Sequence, residues 1–220
     1  TIAATSISAN TEAGFSVVTW TDSFNTGQTI GHGLGDSPKI IMARTLDRAS
    51  NLWYVSHPED STKSLILSST AAQNSDLTWV KNSDTFGANW TGTSFRWLAY
   101  CFAEVDGFSK FGSYVGTGAA GNSIVTGFRP AFVMVKRTDS PASWFILDNK
   151  RSPSNPNNLY LSPNNANQEL NLQTTDSLDF INFLSNGFEI LNGVVGNANG
   201  GSYIFMAFAE ENVQPQPVLA

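Results

Sequence analysis

The chain repeats itself, and no other feature limits its fold so strongly: whatever structure suits the first half must, with modest edits, suit the second. The stretch GFSVVTWTDSFNTGQTIGHGLGDSPKIIMARTLDRASNLWYVSH from Gly14 aligns with GFSKFGSYVGTGAAGNSIVTGFRPAFVMVKRTDSPASWFILDN from Gly107. Landmarks return in order, Gly14 and Gly107 lying 93 residues apart, Pro38 and Pro130 92, Trp53 and Trp144 91. The copies close on WLAYCFAE from Trp97 and YIFMAFAE from Tyr203, 106 apart, so the second copy is longer in its middle. An insertion within 153–168 accounts for that length. The chain thus divides into an N-terminal linker or edge segment (1–13), a first unit (14–106), a second unit (107–211) and a C-terminal tail (212–220).

Each unit reads as β-structure. PKIIMAR and PAFVMVKR are short apolar runs rich in β-branched and aromatic residues, each opened by a proline suited to a strand edge. Turn residues cluster between such runs, and no stretch carries a sustained 3.6-residue apolar spacing. WLAYCFAE and YIFMAFAE are apolar on both faces, which places them centrally in packed sheets. The prediction is an all-β chain with almost no helix, either two tandem sandwich units of jelly-roll or lectin-like kind or one large pseudo-two-fold sandwich. The Asn- and Pro-rich segment 153–168 is predicted to be a surface loop carrying at most a short edge strand at NLYLS, the counterpart of KSLILSS.

Lys and Arg total 12 against 18 Asp and Glu, a net charge of −6, and no basic run occurs, which argues against nucleic acid and anionic membrane as partners. No apolar stretch approaches the ~20 residues of a membrane span, so no membrane insertion is expected. The opening TIAATSISANTEAG lacks the pattern of a secretory leader and reads as the cut edge of a longer polypeptide. Cys101, the single cysteine, excludes an intramolecular disulfide and reads as a small buried hydrophobe.

Motifs that carry chemistry elsewhere have plainer readings here. Gly116, Gly118 and Gly121 match GxGxxG but precede NSIVTGF, a strand rather than the helix a dinucleotide needs, so the glycines read as a hairpin turn and no cofactor is expected. Gly35, Asp36 and Ser37 match a lipase nucleophile block, yet the only histidines, His32 and His57, are not placed to serve as its base. Two histidines make no closed metal site, and none is expected. A carboxylate pair would suit a polysaccharide-degrading enzyme, with Glu104, Asp106, Asp148, Glu169, Glu189 and Glu210 as candidates. Glu104 and Glu210 recur at one repeat position, as do Asp47 and Asp139, which speaks for structure over catalysis. Ion pairs of Glu104 with Arg44 and of Glu210 with Lys136 are therefore predicted. Trp53 and Trp144 recur and are read as packing residues. Aromatics found in one copy only, Trp79, Trp90 and Tyr160, are the candidate ligand-binding positions, with Trp90 in FGANWTGT the foremost candidate for an exposed platform.

The blocks AGFSVVTWTD, GQTIGHGLGDSPKIIM, AYCFAEVDGFSKFGSYVGTG, TGFRPAFVMVKRTDSPASWFILD and SNGFEI followed by GGSYIFMAFAE resemble a tandem β repeat domain of tailed-bacteriophage tail-fibre and other virion structural proteins. The resemblance runs from about Ser8 to Glu211. It implies an extracellular location on the virion, a homo-oligomer with a trimer favoured, and a structural and host-attachment role toward a surface glycan or protein without catalysis. A depolymerase, and a capsid decoration or filament subunit, are the alternatives. No catalytic residue carries over.

Overall fold

The computed structural model describes residues 1–21, 28–48, 52–89 and 95–210. Its strands are β1 (Ser6–Asn10), β2 (Phe15–Thr21), β3 (Ile30–Gly31), β4 (Ile40–Thr45), β5 (Tyr54–Ser56), β6 (Ser64–Ile66), β7 (Trp79–Lys81), β8 (Thr85–Ala88), β9 (Arg96–Phe102), β10 (Ser109–Val115), β11 (Asn122–Val125), β12 (Pro130–Arg137), β13 (Trp144–Asp148), β14 (Leu159–Tyr160), β15 (Leu170–Asn171), β16 (Ile181–Leu184), β17 (Gly187–Ile190) and β18 (Ser202–Ala209). One short helix, α1 (Leu172–Asp176), is the only helix among the described residues. The β1–β2 turn depends on Gly14, whose φ is +62° and where a Cβ would stand 2.5 Å from the Ala103 carbonyl oxygen. Both the conformation and the lack of space exclude a side chain.

Two large antiparallel sheets form the body, one in the order β1-β2-β9-β4-β5-β6 and the other β10-β18-β12-β13. Each is backed by a three-stranded sheet, β3-β8-β7 in the first half and β11-β17-β16 in the second. The second order repeats the four strands β2-β9-β4-β5 of the first, with β18 in the place of β9 and β12 in that of β4, and lacks counterparts of β1 and β6. Register repeats as well. Ile40 faces Phe102 and Met42 faces Tyr100, while Phe132 faces Phe208 and Met134 faces Met206. One strand departs from the aligned sequence. The glycines before β2 and β10 lie 93 apart, but Phe15 and Ser109 take the equivalent places opposite Phe102 and Phe208, 94 apart. A one-residue slip turns every side chain over. Thus Ser16 lies on the face of Val18 and Trp20, whereas Ser109 lies on the face of Phe111.

Three cores hold the layers together. Val18, Trp20, Ile41, Phe86 and Trp97 fill the space between the first large sheet and its backing sheet, and Val133, Phe183, Phe188 and Phe205 do so in the second half. The third core lies between the two large sheets and draws on both halves, with Ile40, Met42, Val55 and Leu65 meeting Phe111, Met134, Trp144, Ile204 and Met206. Equivalent faces therefore oppose each other: Met42 and Met134 share this core, and Phe102 and Phe208 stand 6.1 Å apart across it. Only a local two-fold rotation brings the same face of two like sheets together. The architecture is thus one pseudo-two-fold sandwich rather than two separate ones, and both large sheets are covered on both sides, as the apolar closing strands foretold. The tandem boundary falls in the turn joining β9 to β10, but the central core crosses it.

The extra length of the second half is spread more widely than a single insertion in 153–168. Bridge partners place Leu161 opposite Ile146 as Leu65 lies opposite Val55, so five added residues fall before Leu161. Six more, in the region of β15 and α1, precede Ile181, the counterpart of Trp79, and the last four precede β18. Loops absorb the additions because they can lengthen without breaking a ladder.

Candidate binding surfaces

The fold assigns the singled-out residues one by one. Trp79 is 2% exposed and its indole Nε1 donates to Ser64 Oγ at 2.8 Å. Tyr160 is 8% exposed and meets Phe145 and Phe180 edge-on, with ring centroids 5.3 and 5.8 Å away. Neither offers a face to a ligand, which corrects the expectation placed on them; Trp90 lies outside the described residues. The two corrected aromatics turn out to be related. By strand pairing, Ser64 is the counterpart of Tyr160 and Trp79 that of Ile181. The first half fills the spot with a large and a small residue, the second with a medium and a large one. A common volume, split differently between neighbours, is what made each look unshared.

The predicted ion pairs are also corrected. Glu104 pairs with Lys110 at 2.6 Å and accepts the Phe111 backbone N–H, while Glu210 pairs with Lys150. Arg44 instead lies over the Trp53 ring, 5.2 Å from its centroid. Lys136 is fully buried beside Trp144, where its Nζ donates to the carbonyls of Thr70 and Arg137; burial pulls its pKa down to about 8. Long basic side chains on strands that are covered on both faces run out along apolar surface toward carbonyls rather than across the sheet. The recurrent aspartates act alike in the two halves, Asp47 accepting the backbone N–H of Arg96 and Asp139 that of Ser202, each at the start of its closing strand.

The histidines occupy turn positions that the other copy fills differently. His32 Nδ1 accepts the N–H of Leu34, and Thr126 Oγ1 accepts that of Phe128. His57 Nδ1 accepts the N–H groups of Glu59 and Asp60, and Asp148 Oδ1 accepts those of Lys150 and Arg151. Burial lowers the pKa of both histidines, which suits rings that act as acceptors. Ser37 Oγ donates to the Lys81 carbonyl at 2.9 Å, and the glycines of the GxGxxG stretch lead into β11, braced by Asn197, which accepts Thr117 N–H and donates to the Ala119 and Asn192 carbonyls. Among the carboxylates weighed for hydrolysis, Asp148 and Glu169 share the guanidinium of Arg151, at 2.5 and 3.3 Å. Burial works against ionisation of Asp148, but the Arg151 and Lys150 N–H groups and the guanidinium outweigh it and hold its carboxyl below the ordinary range. Cys101 is fully buried and its thiol is pushed up to about 12 by that burial. Among the described residues no three His, Cys, Asp or Glu converge as metal ligands.

Two of the concave surfaces among the described residues bear on binding. A cleft of about 440 Å³ opens on the central core, lined by Met42, Met134, Met206, Phe102, Phe132 and Phe208 among others, with no polar surface. It holds all three methionines of the chain. A groove of about 490 Å³ runs between β10 and β11, floored by Tyr114, Ile124 and Phe205 and edged by Lys39, Glu59, Glu104, Lys110, Ser113 and Ser123. Sequence reasoning missed the groove because it arises from two strand edges far apart in order, which no spacing encodes.

Residues 1–212 match a family described as a domain of unknown function, DUF7483. The chain belongs to that family. Neither the curated proteins nor the solved structures contain a match. The DUF7483 match spans both halves, in keeping with a central core that neither half completes alone.

Proposed function

We propose that this chain is a non-catalytic structural and receptor-facing module of a bacteriophage tail fibre, carried on the virion surface in a homo-oligomer, with a trimer favoured. The observation that carries the reading is the division of labour among polar groups. Asp148, Glu169, Glu104 and Glu210, four of the carboxylates weighed for catalysis, each pair with a cation. The β10–β11 groove is edged by neutral polar side chains and by charges of both signs, a lining suited to binding a glycan or protein surface. The four-layer body with its shared core supplies a rigid support for such surfaces. The repeated blocks and their resemblance to tail-fibre repeats supply the virion setting.

A glycan array and a host-cell pull-down with the isolated chain test the reading. Retention by a host-surface glycan or protein, without release of reducing ends from the polysaccharide, is the expected result. Release of reducing ends would replace the binding role with the depolymerase alternative. Absence of retention by any susceptible host would leave an architectural subunit.

A further inference from the structure

We infer that the groove between β10 and β11 is a strand-acceptor site for an extended, uncharged polypeptide segment supplied by another chain. The molecule carries its own template for this. In the first half the equivalent groove, between β2 and β3, is filled by residues 1–10: β1 pairs along β2 from Ser6 opposite Thr19 to Asn10 opposite Phe15, and Ile2 bridges to Ile30, its N–H donating to the Thr29 carbonyl at 2.7 Å. Ile2 and Ala4 pack against the outer core there. Among the described residues the second half has no such segment, because those before β10 belong to β9 and the turn that follows it.

The backbone groups that a strand would meet are in place. β10 bonds to β18 through Gly112 and Tyr114, so by the alternation of an antiparallel ladder Phe111, Ser113 and Val115 turn their N–H and C=O groups outward. On β11 the same alternation turns Ser123 and Val125 outward, since Thr126 N–H bonds to the Asn186 carbonyl. The groove is guarded at two points, where Glu104 accepts Phe111 N–H and Asn122 Nδ2 donates to the Val115 carbonyl. Between these points Ser113 has only its hydroxyl engaged, by Glu59. Val115 and Val125 are 62% and 67% exposed on the rim, the kind of apolar surface a bound strand covers.

Chemistry narrows the occupant further. Lys39 and Lys110 against Glu59 and Glu104 leave the lining without net charge, which favours a neutral segment. Val125 stands where the first half has Gly31, over which the Ile7 side chain lies with its Cδ1 3.6 Å from an added Cβ. The incoming strand therefore needs a small residue at that point, within an otherwise alternating pattern of small apolar and Ser, Thr or Asn residues. The inference rests on the binding role proposed for this same groove and names a polypeptide strand, rather than a glycan, as its occupant; retention on a glycan array without amide shifts in the groove would overturn the inference and leave that role standing.

The test titrates the 15N-labelled full chain with a synthetic peptide of residues 1–10 carrying Ile7→Ala, up to about 1 mM, the weak end of measurable association. Saturable amide shifts at Ser113, Val115, Ser123 and Val125 are expected, with β2 undisturbed. Ser113→Pro and Ser123→Pro each remove an outward N–H that neither sheet uses, so each variant should fold and bind the peptide at least about tenfold more weakly. Absence of shifts, shifts confined to β2 and β3, or affinity unchanged in both proline variants would each overturn the inference.

Discussion

At the scale of single residues, the internal repeat serves as a ready-made mutation series. His32 and Thr126 accept equivalent turn N–H groups, and so do His57 and Asp148. The position therefore asks for an acceptor of the right reach and leaves the rest of the side chain open. Protonation would turn either ring from acceptor to donor. Because burial lowers both histidine pKa values below the unfolded value, the unfolded chain binds more protons as pH falls from about 6.5, and stability falls with it. The variant His32→Thr with His57→Asp borrows the residues of the second half. It should fold, and its Tm should stay flatter than that of the parent between pH 7 and 5. A variant that melts with the parent's slope, measured by circular dichroism, would show that the pH dependence lies elsewhere.

At the scale of elements, what recurs is the way each turn is tied to the strand beyond it. The closing strands β9 and β18 begin under the same aspartate contact, and Leu46 and Thr138 donate to the carbonyls of Arg96 and Ser202 at 2.7 and 2.8 Å. The glycine-rich turn before β11 depends on a single buried side chain, Asn197, whose amide reaches both Thr117 and the 192–198 loop. Asn197→Ala leaves those backbone groups unpaired and should cost about 1–3 kcal/mol. Hydrogen exchange should quicken first at Thr117 and Gly118. Equal protection across both proteins, or loosening that begins in the first half, would contradict this assignment. Glycines at 116, 118 and 121 made a turn visible in sequence, but it joins strands of two different sheets rather than closing the hairpin expected there. Its brace was not visible, because Asn197 lies 80 residues from Thr117.

At the scale of the whole molecule, the two halves are joined by a core that belongs to neither. Trp144 is 1% exposed, lies among residues of both large sheets and donates its indole N–H to the Ile66 carbonyl of the first half at 3.0 Å. Trp144→Ala should destabilise the protein by about 3–5 kcal/mol and lower one cooperative transition, followed alike by probes in either half. Two separated transitions would mean that the halves are independent. The amino-acid sequence by itself determined the strand composition, the doubling and the central place of the closing strands, because these are local matters of alternation, turn chemistry and self-similarity. It also pointed rightly to Trp53 and Trp144 as packing residues. Only the tertiary structure decided which faces meet, which cation each glutamate takes, and which aromatics stay inside. Those outcomes depend on the two-fold packing of like faces and on volume shared between residues distant in order, and no local pattern records either.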